Sequence, residues 1–170
     1  MLFFANHHST PSSLVSTRSG FGLIEVVIGT AILASVLFGV SFFFHQAIVM
    51  SRETTHFVQA NFLVEEGVEA VKLIRDESWS DIANLATGTD YFLEFNGVKW
   101  ATTTVDTYVA GIFDRRFTVS DVSRDGNDDI ASVGAVDPNT KKITVTVAWN
   151  NGSATTSQSV ETYITNLFDL

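Results

Sequence analysis

Two groups of residues could carry chemistry: a lone carboxylate in an apolar run, and an oxygen-rich cluster far downstream. The carboxylate is Glu25, the only one between Phe21 and about Met50. Unpaired in a membrane-spanning helix, a carboxylate costs about 2.5–3.5 kcal/mol at the helix centre and less toward the edge. Taken alone, Glu25 therefore reads as a side chain at headgroup level that reaches water. The cluster is Asp121-Val122-Ser123-Arg124-Asp125-Gly126-Asn127-Asp128-Asp129. Asp121, Ser123, Asp125, Asn127 and Asp129 place oxygen at alternate positions and Gly126 stands sixth, like the start of a calcium loop. Arg124 within it, and no Glu at the twelfth position, weaken the match. A solvated acidic turn is the plainer reading, and calcium is the one cofactor left to consider.

Other chemistry is scarce. All four histidines, His7, His8, His45 and His56, precede residue 79, and the chain has no cysteine. Residues 79–170 thus lack the base for Ser/His/Asp or Cys/His catalysis, and a His-based zinc site has no ligands there. The chain reads as a non-enzyme. His45 and His56 read as marking the helix's emergence from lipid rather than a metal pair. Asn151-Gly152-Ser153 fits a glycosylation sequon and, equally, an ordinary hairpin turn, which is preferred.

Composition bounds the rest. A chain of 170 residues, 45% hydrophobic and 17% charged, suits one membrane segment and one small globular domain. The formal net charge of −9 repels phosphate backbones over most of the surface and argues against general nucleic-acid binding. Arg115-Arg116 and Lys141-Lys142 are the only local basic spots in the head considered against that background.

The elements follow from pattern. Residues 1–20 contain no acid and one Arg, and residues 21–50 form an apolar run longer than the roughly 20 residues that span a bilayer. Arg18, His7 and His8 before that run, and the acidic bulk after it, put the N-terminus in the cytoplasm and the remainder outside. Over 51–78 the apolar residues Phe57, Ala60, Val64, Val68, Val71 and Ile74 recur every three or four positions, one stripe on a helix. No Pro interrupts 21–78, so one continuous helix is expected, roughly 85 Å long at 1.5 Å per residue.

Beyond Trp79 the periodicity becomes that of strands. Tyr91–Phe95, Asn96-Gly97 and Val98 onward read as a hairpin with a two-residue turn. Phe113, Arg115, Phe117 and Val119 alternate, as do Ile143, Val145, Val147 and Trp149. Asn150-Asn151-Gly152 turns into a last strand through Val160, Thr162 and Ile164. Asp137-Pro138-Asn139-Thr140 reads as a turn, and 124–139 as an exposed loop. The expected fold is α+β: a long N-terminal helix, its first half spanning the membrane, with a small antiparallel sheet packed on its second half. The segments are 1–20, a leader; 21–50, a transmembrane or filament-core helix; 51–78, its amphipathic continuation; and 79–170, a β-rich head.

The junction Ser19-Gly20-Phe21-Gly22-Leu23-Ile24-Glu25-Val26-Val27-Ile28 closely resembles the processing site of the type IV pilin superfamily, which includes the pseudopilins of type II secretion. The resemblance implies cleavage after Gly20, N-methylation of Phe21 and a role for Glu25 in assembly. Its implied partners are a prepilin peptidase and methyltransferase, other pilin or pseudopilin subunits, an inner-membrane assembly platform, and lipid before assembly. The physics is coherent with this. Gly before the cut leaves an unhindered peptide bond, and the product keeps its apolar segment. The amine of a neighbour's Phe21 would offset the cost of Glu25.

The stretch 61–76 also resembles the post-membrane helix of minor pilins of the PilV type, as the strands around Phe113–Phe117 and Val147–Trp149 resemble parts of their heads. Gly22 departs from the family's usual Thr, and the stem Pro and C-terminal disulfide of major pilins are absent, which favours a minor pilin or pseudopilin. Such a subunit sits in the cytoplasmic membrane and then in a surface or periplasmic filament. The alternative is an exported or membrane-anchored non-enzymatic binding domain with a conventional signal, Gly39-Val40-Ser41 serving as a cleavage site.

Overall fold

The computed structural model describes residues 21–152 and 154–167. Helix α1 spans Phe21–Glu77 and is followed by a one-turn α2, Ser80–Ala83. Seven strands complete the chain: β1 Tyr91–Phe95, β2 Trp100–Thr103, β3 Tyr108–Val109, β4 Phe113–Arg124, β5 Ile130–Ala131, β6 Ala135–Asn150 and β7 Thr155–Thr165. The helix is unbroken for 57 residues, as the absence of an internal Pro permits. The chain divides into two units between Ala47 and Ile48.

In the first unit every residue from Gly22 to Ala47 is exposed. Among the described residues, α1 is the one helix long and apolar enough to cross a membrane. The second unit is the head, in which the rest of α1 lies on the sheet. Ala60, Val64, Ala70, Val71 and Ile74 meet Leu93, Phe113, Phe117, Val119, Ile143, Val145, Val147, Trp149 and Ile164 in one core. The apolar spacing had placed Phe57 and Val68 on that stripe. Val68 does pack against the core, half-buried, whereas Phe57 is 45% exposed, and Gly67 is buried among them.

Gly67 explains how closely the layers approach. A Cβ there would lie 2.8 Å from Val145 Cγ1, 3.6 Å from Arg115 Cδ and 3.7 Å from Leu93 Cδ1. A scan for apolar side chains passes over a residue whose contribution is having none.

The sheet runs β2-β1-β4-β6-β7, all antiparallel, with β3 and β5 pairing onto β4. Its spine is β4 on β6. Arg115↔Val147, Phe117↔Val145 and Val119↔Ile143 face the helix, and Arg116↔Thr146 and Thr118↔Thr144 face away. The architecture is thus α+β, with a seven-stranded antiparallel sheet on the second part of a long N-terminal helix, consistent with a pilin-like fold.

Three local expectations change. Phe95 pairs with Trp100, so Asn96–Lys99 is a four-residue loop rather than a two-residue turn. The Asn96 side chain accepts from the N–H groups of Val98 and Lys99, both at 3.0 Å, which closes the longer loop. Pro138 lies within β6, not in a turn. There the register passes from Asp121↔Lys141 to Val122↔Asp137, and the extra β6 residues bulge out where Pro138 has no N–H to give. The segment 124–139 is no plain loop either, since the β4–β6 pairing continues through it and β5 adds to β4. Both of its faces meet solvent, as Ile130, Val133 and Val136 show by their exposure, so it lacks the one-sided alternation that marks a strand.

Gly67→Ala is expected to lower the head's stability by about 1 kcal/mol, overpacking exceeding the gain in helix propensity. Val145→Ala should cost less in the Gly67→Ala background than alone. Chemical denaturation of the four-member cycle checks both, and an additive cycle would deny the contact its role.

Candidate functional site

Two hydroxyls in the apolar half of α1 are satisfied within the helix itself. Thr30 Oγ1 donates to Val26 O at 2.9 Å and lies 3.0 Å from Val27 O, and Ser35 Oγ donates to Ile32 O at 2.7 Å. These hydroxyls need no water, which suits a helix long and apolar enough to cross a membrane. Glu25 cannot do the same. An ionised carboxylate only accepts, and the backbone N–H groups around it serve the helix. It sits among exposed Leu23, Ile24, Val26, Val27 and Ile28, with no ion-pair partner among the described residues. Phe21 opens the helix, and Gly20, with the rest of the leader, lies outside the described residues.

The acidic cluster is a hairpin end organised by its own arginine. Asp121 pairs with Lys141 at 2.5 Å, and Ser123 lies in β4 opposite Ala131. Asp125 Oδ1 accepts from the N–H groups of Asn127 and Asp129 at 2.8 and 3.1 Å, fixing the turn in which Asp128 takes a φ of +68°. Arg124 Nε donates to Asp137 Oδ2 at 2.7 Å, and its Nη1 donates to Asp128 O at 2.8 Å. Hydrogen bonds from Arg124, Thr140 and the Asn139 N–H hold the Asp137 carboxyl down at about 2. The same pairing with Asp137 raises Arg124 above its ordinary range.

The five oxygen-bearing side chains are therefore spread along a strand and around a turn. Among the described residues no group of three or more His, Cys, Asp or Glu is placed to hold a metal ion. Gly134 closes the same hairpin: at φ +156° its Cα approaches the Arg124 carbonyl so nearly that a Cβ would overlap the oxygen.

The basic doublets separate, because neighbours on a strand point to opposite faces. Arg115 is buried under α1, with Nη1 2.9 Å from Glu66 Oε2 and its guanidinium 5.1 Å from the Trp100 ring centre. The contact with Glu66 is an ion pair by distance, without hydrogen-bond alignment. Arg116 faces out, pairing with Asp114 and, at 3.6 Å, with Asp90. Burial pushes the Asp114 carboxyl up, against the pull of Arg116. Lys141 holds Asp121, and Lys142 holds Glu161 at 3.2 Å. The internal clamp of Arg115 was missed from sequence, where only its place in an inward-facing register hinted at it.

Asp137 titrates lower folded than at its ordinary 3.8, so its contribution to stability is complete above about pH 4 and is lost as pH falls toward 2. Melting curves across that window should show a loss in the wild type that Asp137→Asn lacks, being destabilised throughout. Millimolar calcium is expected to leave the melting temperature of the full chain unchanged, Arg124 already supplying the cation. A rise of several degrees would restore the calcium-loop reading.

No protein-family model matches the sequence, and neither a curated protein nor a solved structure matches it.

Proposed function

We propose that the chain is a structural subunit, a minor pilin or pseudopilin, cut after Gly20 and assembled into a filament through α1. The observation that carries this reading is the junction Gly20-Phe21-Gly22-Leu23-Ile24-Glu25 standing at the start of a 57-residue helix. That helix is bare and apolar at first and then carries a sheet. Before assembly, lipid covers the exposed residues of the first half, the N-terminus is cytoplasmic and the head lies outside. In the filament, neighbouring helices replace the lipid.

Glu25 gives the exchange its register. A carboxylate that can satisfy itself neither from its own helix nor from lipid gains most where a neighbour brings a cation. The methylated amine of Phe21 on the next subunit is the cation the junction offers. A prepilin peptidase and methyltransferase make that amine, and an inner-membrane platform extracts the processed chain. The head's lack of His and Cys in residues 79–170 accords with a structural role.

Gly20→Trp is expected to abolish processing, read as retention of the leader's mass on immunoblots of membranes. Glu25→Ala should be processed normally yet enter filaments roughly tenfold less, the equivalent of about 1.4 kcal/mol. Normal incorporation of processed Glu25→Ala would remove the charge-pairing step from the mechanism.

A further inference from the structure

Among the described residues every Lys and Arg except Arg52 lies in an ion pair. Arg52 is exposed on α1, and its own helix offers it no acid. The positions three and four residues away hold Ile48, Val49, Thr55 and His56, and Glu53 projects from a different side of the helix. Glu65 is its counterpart: exposed, unpaired among the described residues, with Asn61, Phe62, Val68 and the like-charged Glu69 at the same spacings. The other acids of α1 after Ile48 are taken. Glu66, Glu69, Asp76 and Glu77 pair with Arg115, Lys72, Arg75 and Lys99, and Glu53 borders a groove with Trp149 and Thr156, against the sheet.

Each free charge also has a large exposed apolar residue one turn before it. Ile48, 53% exposed, precedes Arg52, and Phe62, 66% exposed, precedes Glu65. Phe62 and Glu65 stand on the outward face of the helix, whose core side holds Ala60, Val64 and Gly67.

We propose that the face carrying Phe62 and Glu65 docks the Ile48–Arg52 segment of a second copy of this chain. Phe62 then lies against Ile48 and Glu65 against Arg52. In parallel helices the two contacts form together, because the apolar residue precedes the charge in both segments. Antiparallel helices would join one pair and part the other. Both contacts require nearly the same step between the copies, about 20 Å along the helix axis. A lipid phosphate would answer Arg52 alone and leave Phe62 and Glu65 uncovered, whereas the second copy answers all four side chains. The two faces differ, so each copy keeps one of them free for the next, and repetition builds an open filament rather than a twofold pair. The contact is separate from that of Glu25, and it rests on the subunit reading for its parallel arrangement.

Cross-linking tests this in the native cell envelope, and the chain's lack of cysteine makes engineered thiols its only ones. Ile48→Cys is placed on one full chain and Phe62→Cys on a second, each with its own tag, and both positions are exposed, which spares the core. A short thiol-to-thiol cross-linker should join the two tags when the chains are produced together, while neither variant alone yields dimers. No mixed dimer overturns the proposal, as does a dimer of Ile48→Cys alone formed as readily as the mixed one. Arg52→Glu on the first chain should lower the yield several-fold, and Glu65→Arg on the second should return most of it. An Arg52→Glu loss that Glu65→Arg leaves in place assigns Arg52 to lipid and overturns the ion pair.

The mass of the N-terminal peptide from the same samples separates this contact from the subunit reading. Mixed dimers of chains that begin at Met1 keep the contact and end that reading. Chains that begin at Phe21 and give no mixed dimer keep the reading and end the contact.

Discussion

The contact of Gly67 with Val145 sets the distance at which helix and sheet pack, and most of the head depends on that distance. With no side chain at Gly67, Ala60 and Val64 before it and Val71 and Ile74 after it come down together onto β4 and β6. The same approach buries Arg115, which would otherwise be a surface cation. Glu66, one residue from Gly67, sits at the helix edge where it can answer that charge. Sheet order and the inward set of side chains follow from a helix laid this close.

Much of this was legible in the residues. The second part of the helix, the alternation from Phe113 to Val119 and that from Ile143 to Trp149 each have one face in a core and one outside it. Legibility failed where both faces meet solvent, as in the outer part of the β4–β6 hairpin, or where a missing side chain did the positioning, as at Gly67. It failed also at Asn96-Gly97. There the turn dipeptide was right about reversal and wrong about length, because hydrogen bonds from Val98 and Lys99 to the Asn96 side chain stabilise a four-residue loop. Pro138 read as a turn because proline usually breaks a ladder, whereas here it occupies a bulge.

The candidate sites divide on the same physical line. Glu25 stands out in the sequence as the one carboxylate of an apolar run, and the structure leaves it on an exposed helix that could cross a membrane. The acidic stretch from Asp121 to Asp129 reads from sequence as a solvated turn, with alternate oxygens that also match the start of a calcium loop. Spacing cannot show that Asp121 is tied to Lys141, that Asp125 is spent on its own turn, or that Arg124 is aimed at Asp137 from within. Alternate oxygens on a strand resemble alternate oxygens in a metal loop until the backbone between them is placed. Polar groups in the head are answered mostly by one another. In the apolar half of α1 the hydroxyls of Thr30 and Ser35 are answered by the helix, and Glu25 has no ion-pair partner among the described residues. That imbalance is why the account places assembly at the start of α1 and not in the head.

The most direct test of that claim is mass spectrometry of the intact chain and its N-terminal peptide, taken from native membranes. The account predicts a chain that begins at N-methylated Phe21. A chain that begins at Met1, or near Phe42 as a conventional signal sequence would leave it, contradicts the account.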